Sequence, residues 1–180
     1  MTHERCLLRH LKQAYRAIGD RTPIPADCGQ LCGAACCHAP SGQESEYGML
    51  LFPGEEQLLR KDPHFTLSCL PPPTGFHRPV WFATCRGVCN RSHRPLACRI
   101  FPCLPYLPVD ERGERSPFPA IIPDPRASIV CPLVAHGENH VDETFYEAVA
   151  AAAAALLSCP AHRAFLESLS ALIDEYRRFL

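Results

Sequence analysis

Between Glu4 and Ile18 the apolar residues Leu7, Leu8, Leu11, Tyr15 and Ile18 recur at the spacing that lines one face of a helix. Gly19-Asp20 supplies the stop, because glycine enters the left-handed conformation at a helix end without strain. A short helix is expected after Pro53, where Pro-Gly-Glu-Glu places a proline and two acids in the first turn. Asp142 caps a further helix that begins at Glu143 and runs through the alanine-rich stretch Ala148–Leu157. Cys159-Pro160 breaks it, and a last helix continues from about Ala161. Its apolar stripe reads Phe165, Leu169, Leu172, Tyr176 and Phe179. These two helices read as a hairpin over residues 142–180 whose apolar faces are core. Residues 21–49 and 62–132 show little periodicity. Proline is frequent at 19 residues and concentrates between Pro71 and Pro132. Proline lacks the backbone donor that helices and inner strands use, so the middle of the chain is expected to be largely irregular.

With 180 residues the expectation is one domain spanning 1–180. The first residues alternate polar and apolar groups rather than forming a continuous apolar run, so they do not read as a signal peptide. The longest apolar run, Ala148 to Leu157, is too short to span a membrane. The expected location is therefore cytoplasmic, with no membrane partner. The net charge of −1 disfavours nucleic acid as a partner of the whole chain. All but Lys12 and Lys61 of the 18 basic residues are arginine, which suits fixed hydrogen bonding.

The 12 cysteines carry the chemistry. Cys28-x3-Cys32-x3-Cys36-Cys37 forms one block. Cys85-x3-Cys89, then Arg94-Pro-Leu-Ala-Cys98-Arg-Ile-Phe-Pro102, and finally Cys131-Pro132 form the other. In a reducing compartment, cysteines clustered at short intervals hold metal more often than they pair as disulfides. If the first block is helical, Cys28, Cys32 and Cys36 stack on one face while Cys37 points about 100° away. The vicinal pair would then face different metals or bridge a two-metal centre. Eight thiolates are what two four-sulfur sites need. Their burial leaves excess negative charge, and Arg86, Arg91, Arg94 and Arg99 lie between the cysteines in position to compensate it. Cys103 is a reserve thiol, Cys69 is ambiguous, and His38 or His93 could replace a sulfur. Cys6 and Cys159 read as small buried hydrophobes. Glu55 and Glu56 read as helix-start acids rather than a catalytic pair. No hydrolase or nucleotide-binding motif appears.

Taken together, Cys28…Cys32…Cys36-Cys37, Gly48-Met-Leu-Leu-Phe-Pro-Gly-Glu-Glu56, Cys85…Cys89…Arg94-Pro…Cys98-Arg…Phe101-Pro102 and Cys131-Pro132 resemble the YkgJ-type cysteine-cluster family. That family is also described as the CxxCxxCC zinc- or iron-chelating domain. The resemblance covers residues 28–132. It implies that Cys28, Cys32, Cys36, Cys37, Cys85, Cys89, Cys98 and Cys131 are ligands, with Arg94, Pro95 and Arg99 as motif companions. The chain departs from the pattern in its three-residue gaps within the first block and in lacking a tyrosine before Arg-Pro. A flagellin lysine methylase group has a similar cysteine module, which keeps an enzymatic role open.

The expected fold is mainly α, with an N-terminal helix and a C-terminal helical hairpin carrying a large, irregular, proline-rich metal-binding middle at 28–132. The expected function is a metal-binding protein that holds one or two zinc or iron centres, iron–sulfur included, through clustered thiolates. The alternative is an Fe–S oxidoreductase or a cluster-dependent protein-modifying enzyme. A protein partner is left open.

Overall fold

The computed structural model describes residues 3–38, 47–87 and 90–179. In chain order the elements are α1 (His3–Ile18), α2 (Cys28–Cys32), β1 (Gly48–Leu50), α3 (Glu56–Leu59), β2 (Phe65–Leu70), β3 (Val80–Cys85), α4 (Leu96–Ile100), β4 (Cys103–Tyr106), β5 (Ala120–Pro123), α5 (Glu143–Leu157) and α6 (Pro160–Arg177). Short 3-10 turns lie at Ala35–Cys37, Arg91–His93, Pro125–Ile129 and Pro132–Gly137. The N-terminal helix and the two C-terminal helices are where the periodicity puts them. The architecture, however, is mixed α/β rather than mainly α.

The expectation of a largely irregular middle is corrected by two antiparallel sheets. One has strand order β1-β3-β2, and the other pairs β4 with β5. Val-Trp-Phe-Ala-Thr-Cys in β3 is aromatic and β-branched, and Leu67 faces Ala83 across the β2–β3 ladder as Leu50 faces Phe82 across β1–β3. In the three-stranded sheet the prolines bound the strands instead of interrupting them, whereas Pro105 lies within β4 and Pro123 ends β5. Pro63 precedes β2, Pro71–Pro73 follow it, and Pro79 precedes β3.

The main core is built where α1 packs on α5 and α6 closes over β4. Leu11, Ala14 and Ile18 meet Phe145, Val149, Ala152 and Leu156 from α5 and Phe165, Leu166, Leu169 and Ile173 from α6. The α6 stripe is rotated from its expected position: Leu172 and Tyr176 are half-buried, and Phe179 is 84% exposed. Leu166 and Ile173 replace them because the face that meets α1 and β4 runs through His162, Leu166 and Ile173. Buried His162 ties α6 to α1 by donating from Nε2 to the Leu7 carbonyl at 3.1 Å. The helix signals act as read. Asp142 accepts from the Thr144 N–H at 2.8 Å, Gly19 is left-handed at φ 53°, and Pro160 opens α6. Among the described residues no helix is long and apolar enough to cross a membrane.

Ser170 pins β4 to α6. Its buried hydroxyl accepts from the Leu107 N–H at 2.9 Å and donates to the Leu166 carbonyl at 2.7 Å. Ser170→Ala leaves the Leu107 N–H without its partner inside the core. The expected destabilisation is about 1–3 kcal/mol, read as a lower urea midpoint at unchanged slope.

Candidate metal centre

The first cysteine block is not the single continuous helix expected from its four-residue spacing. Asp27 caps α2 by accepting from the Gly29 N–H at 3.1 Å. Gly33 (φ 59°) and Ala34 (φ 56°) then both turn left-handed, and the Ala34 N–H closes on the Gly29 carbonyl at 2.8 Å. Two successive residues in that region reverse the chain, so Cys36 and Cys37 arrive on a separate 3-10 turn. Cys28 and Cys32 stay stacked one helical turn apart, as expected. Cys36 leaves their face because the helix ends before it.

Two cavities adjoin this turn. The smaller, about 30 Å³, is lined by Cys28, Cys32, Cys36, Cys37, Cys131 and Arg94. That is room for a body the size of one or two waters. The larger, about 270 Å³, is lined by Cys36, Cys37, Cys85 and Cys98, again with Arg94. The vicinal pair and Arg94 are thus common walls of both. Cys98 comes from α4, Cys85 from the end of β3, and Cys131 from the loop after β5, where it packs with Ala127, Leu133 and Cys28. Seven of the eight expected ligands therefore line these two spaces. Cys89 lies outside the described residues.

The sulfurs converge without closing. Thiolates bonded to one tetrahedral zinc at about 2.3 Å stand roughly 3.8 Å apart. The Cys36 and Cys37 sulfurs are 3.9 Å apart. Among the described residues no three thiols lie within 4.8 Å of one another. Two thiols are turned to backbone carbonyls: Cys32 to that of Cys28 at 3.8 Å, and Cys85 to that of Gly87 at 2.6 Å.

Electrostatics tie the group together. Burial pushes the Cys28 thiol up, opposed by the Arg91 and Arg94 guanidinium groups. Burial likewise raises Cys131, and negative charge on Cys28 or Cys32 raises it further. Cys36 is lowered by the hydrogen bond from Cys37, against burial and against charge on Cys98, Cys28 and Cys32. Cys37, as the donor, is raised. Cys28, Cys37 and Cys131 thus resist ionising where they stand, a condition that a bound cation relieves.

Of the four arginines expected to compensate the thiolates, Arg94 lines both cavities and Arg91 acts with it on Cys28, whereas Arg86 donates to the Thr66 hydroxyl and Arg99 turns away. Arg99 donates to the carbonyls of Arg94, Gly19 and Ser92 and lies 4.8 Å over the Tyr15 ring. It fastens α4, which carries Cys98, to the end of α1. The reserve candidates sit elsewhere. Cys103 is buried in the main core, its thiol pushed up by burial to about 12, and Cys69 is exposed on the edge strand β2. His38 is exposed with Nδ1 on the Ala34 carbonyl at 3.0 Å, and His93 faces Asp62 rather than sulfur. Cys6 is half-buried and Cys159 buried; they meet sulfur to sulfur at 3.1 Å, away from both cavities.

Three features carried no signal in the sequence that would single them out. Asp124 and Arg126 form a two-pronged ion pair (2.6 and 2.9 Å) in the wall of the larger cavity. Glu55 is fully buried, and its carboxylate accepts from the Phe52 N–H at 2.9 Å, the Leu96 N–H at 2.7 Å and the Tyr15 hydroxyl. It therefore holds the start of α4, and with it Cys98, against α1. The third is an Asp62–His64–His93 cluster. Compared with protein-family models, curated proteins and solved structures, the chain matches none of them.

Proposed function

We propose that this chain is a metal-binding protein that holds one or two zinc or iron centres through the thiolates of Cys28, Cys32, Cys36, Cys37, Cys85, Cys98 and Cys131, with Cys89 as the eighth. The reading rests on one observation above the others. Thiols from four separate stretches of chain line two adjoining cavities that share the Cys36–Cys37 pair. The smaller cavity has room for a single ion, and Cys28, Cys32 and Cys131 with one sulfur of the pair make a four-thiolate set. Cys85 and Cys98 with the other sulfur leave the second set to be completed by Cys89. Arg94 offsets the charge of both. The YkgJ-type resemblance supports the same residues. When bound, zinc would organise the loop as a redox-inert tetrahedral centre, whereas iron would give it a redox role.

The size of the second cavity, about 270 Å³, favours a further reading in which a cluster larger than one ion serves an oxidoreductase or a protein-modifying enzyme. Elemental analysis and a visible spectrum of protein purified anaerobically test both. The expected result is one to two zinc or iron atoms per chain. Brown protein with broad visible absorption selects iron–sulfur, and colourless protein with stoichiometric zinc selects the zinc centre. Protein that carries neither metal and takes up neither Zn²⁺ nor Fe²⁺ under reducing conditions overturns the reading.

A further inference from the structure

Asp62 and His93, which line a cleft together with Arg94, belong to a different set of donors. Asp62 follows α3, and its Oδ1 accepts from the His64 backbone N–H at 3.0 Å and faces the His64 Nδ1 at 2.9 Å. Its other oxygen, Oδ2, faces the Nδ1 of His93 at 2.8 Å. His93 lies 31 residues further on, in the turn that Asn90 caps by accepting from the Ser92 N–H. The Asp62 side chain is only 12% exposed, while the two imidazoles are 42% and 47% exposed. Their ring centroids stand 5.5 Å apart, edge to face. One anchored carboxylate thus holds two solvent-facing imidazoles whose ligand atoms, with its own, all lie within 4.8 Å of one another.

We propose that Asp62, His64 and His93 bind a divalent first-row transition metal, separate from any thiolate centre. Two imidazoles and one carboxylate form a donor set suited to zinc, iron, cobalt or nickel, and not to the soft ions that thiolates select. An ion bonded to such ligands at about 2.0–2.1 Å sets neighbouring donor atoms roughly 2.9–3.4 Å apart. The separations of 2.9 Å from Oδ1 to His64 and 2.8 Å from Oδ2 to His93 each need open by a few tenths of an ångström, and the two imidazole nitrogens, within 4.8 Å of one another, would turn onto one ion. The ion would take the place of the two Nδ1 protons that now face the carboxylate.

Three protein ligands leave coordination positions open, as in sites where a metal also binds water or substrate. Asp62 and His93 form one end of a cleft of about 410 Å³, walled by Lys12, Arg16, Arg94 and Arg99. Half-exposed hydrogen bonds of this kind contribute little to stability, so the cluster has no strong structural reason to be assembled from two distant segments.

The inference does not depend on the thiolate centre, and cobalt separates the two. Thiolate-bound Co²⁺ shows intense near-ultraviolet charge transfer, whereas an imidazole–carboxylate site shows only weak visible d–d bands. Titration of the reduced, anaerobically prepared chain with Co²⁺ is expected to reveal one equivalent with d–d bands alone. His64→Gln and His93→Gln are each expected to weaken that equivalent at least tenfold and to leave any charge-transfer signal unchanged. Asp62→Asn, which keeps the shape of the turn, should weaken it as well, and His77→Gln, at an exposed histidine elsewhere, should not. A titration unaltered in both histidine variants, or one in which all bound cobalt carries charge transfer, overturns the proposal.

Discussion

Glu55→Ala is expected to lower the stability of the protein by about 3–5 kcal/mol. The substitution strands three donors inside the core, the N–H groups of Phe52 and Leu96 and the Tyr15 hydroxyl, each costing about 1–3 kcal/mol when left unpaired. Relief of the carboxylate's own burial offsets part of that sum. Glu55→Gln keeps one acceptor oxygen and is expected to lose less. Urea unfolding followed by circular dichroism measures both, and a loss below about 1 kcal/mol for the alanine variant would sink the account.

The pH dependence has a defined sign. Burial raises the Glu55 carboxyl above its ordinary value, against the opposing bonds from Leu96, Tyr15 and Phe52. A carboxyl raised by folding contributes its full stability below the unfolded value of about 4.3 and loses it as pH rises through the folded value. The margin of the wild type over Glu55→Gln should therefore shrink as pH rises from about 4 towards neutrality.

The second large effect concerns metal content. Cys36→Ser is expected to remove at least half of the bound metal, because Cys36 lines both cavities and its thiol is the one held low by its neighbour. Cys103→Ser is the matched control. It changes a thiol whose surroundings are the main core and whose ionisation burial opposes, so metal content should stay at the wild-type level. Elemental analysis of the two variants side by side decides the matter. Equal retention in both would remove Cys36 from the centre, and equal loss would point to general unfolding rather than to lost ligands.

The helices were legible because their information is local. The Glu4–Ile18 periodicity, the Asp142 cap and the Pro160 break each act within a turn or two of themselves, and each is found in place. The strands are hidden because the proline density reads as a property of the whole middle. Pro71–Pro73 and Pro79 in fact mark the ends of β2 and β3, and nothing within Phe65–Leu70 announces that its partner begins at Val80. Glu55 reads as an ordinary helix-start acid because its burial is imposed by Tyr15 and Leu96, about 40 residues away on either side. In the cysteine block the four-residue spacing was a sound helical signal as far as Cys32. What it could not register is the consecutive left-handed pair at Gly33 and Ala34, the second of which is a residue that rarely adopts that conformation. Asp62 and His64 stand two apart in the chain, but only the fold brings His93 to them.

The shared wall formed by Cys36 and Cys37 has a consequence for filling the two cavities. If both sets load as proposed, a cation on one sulfur of the pair places positive charge 3.9 Å from the other, so the second arrival is held less tightly than the first. Loading would proceed in unequal steps, and a half-filled form would persist over a range of supply. Under the proposed two-ion reading, the adjoining chambers would fill in two distinguishable stages rather than as identical stores.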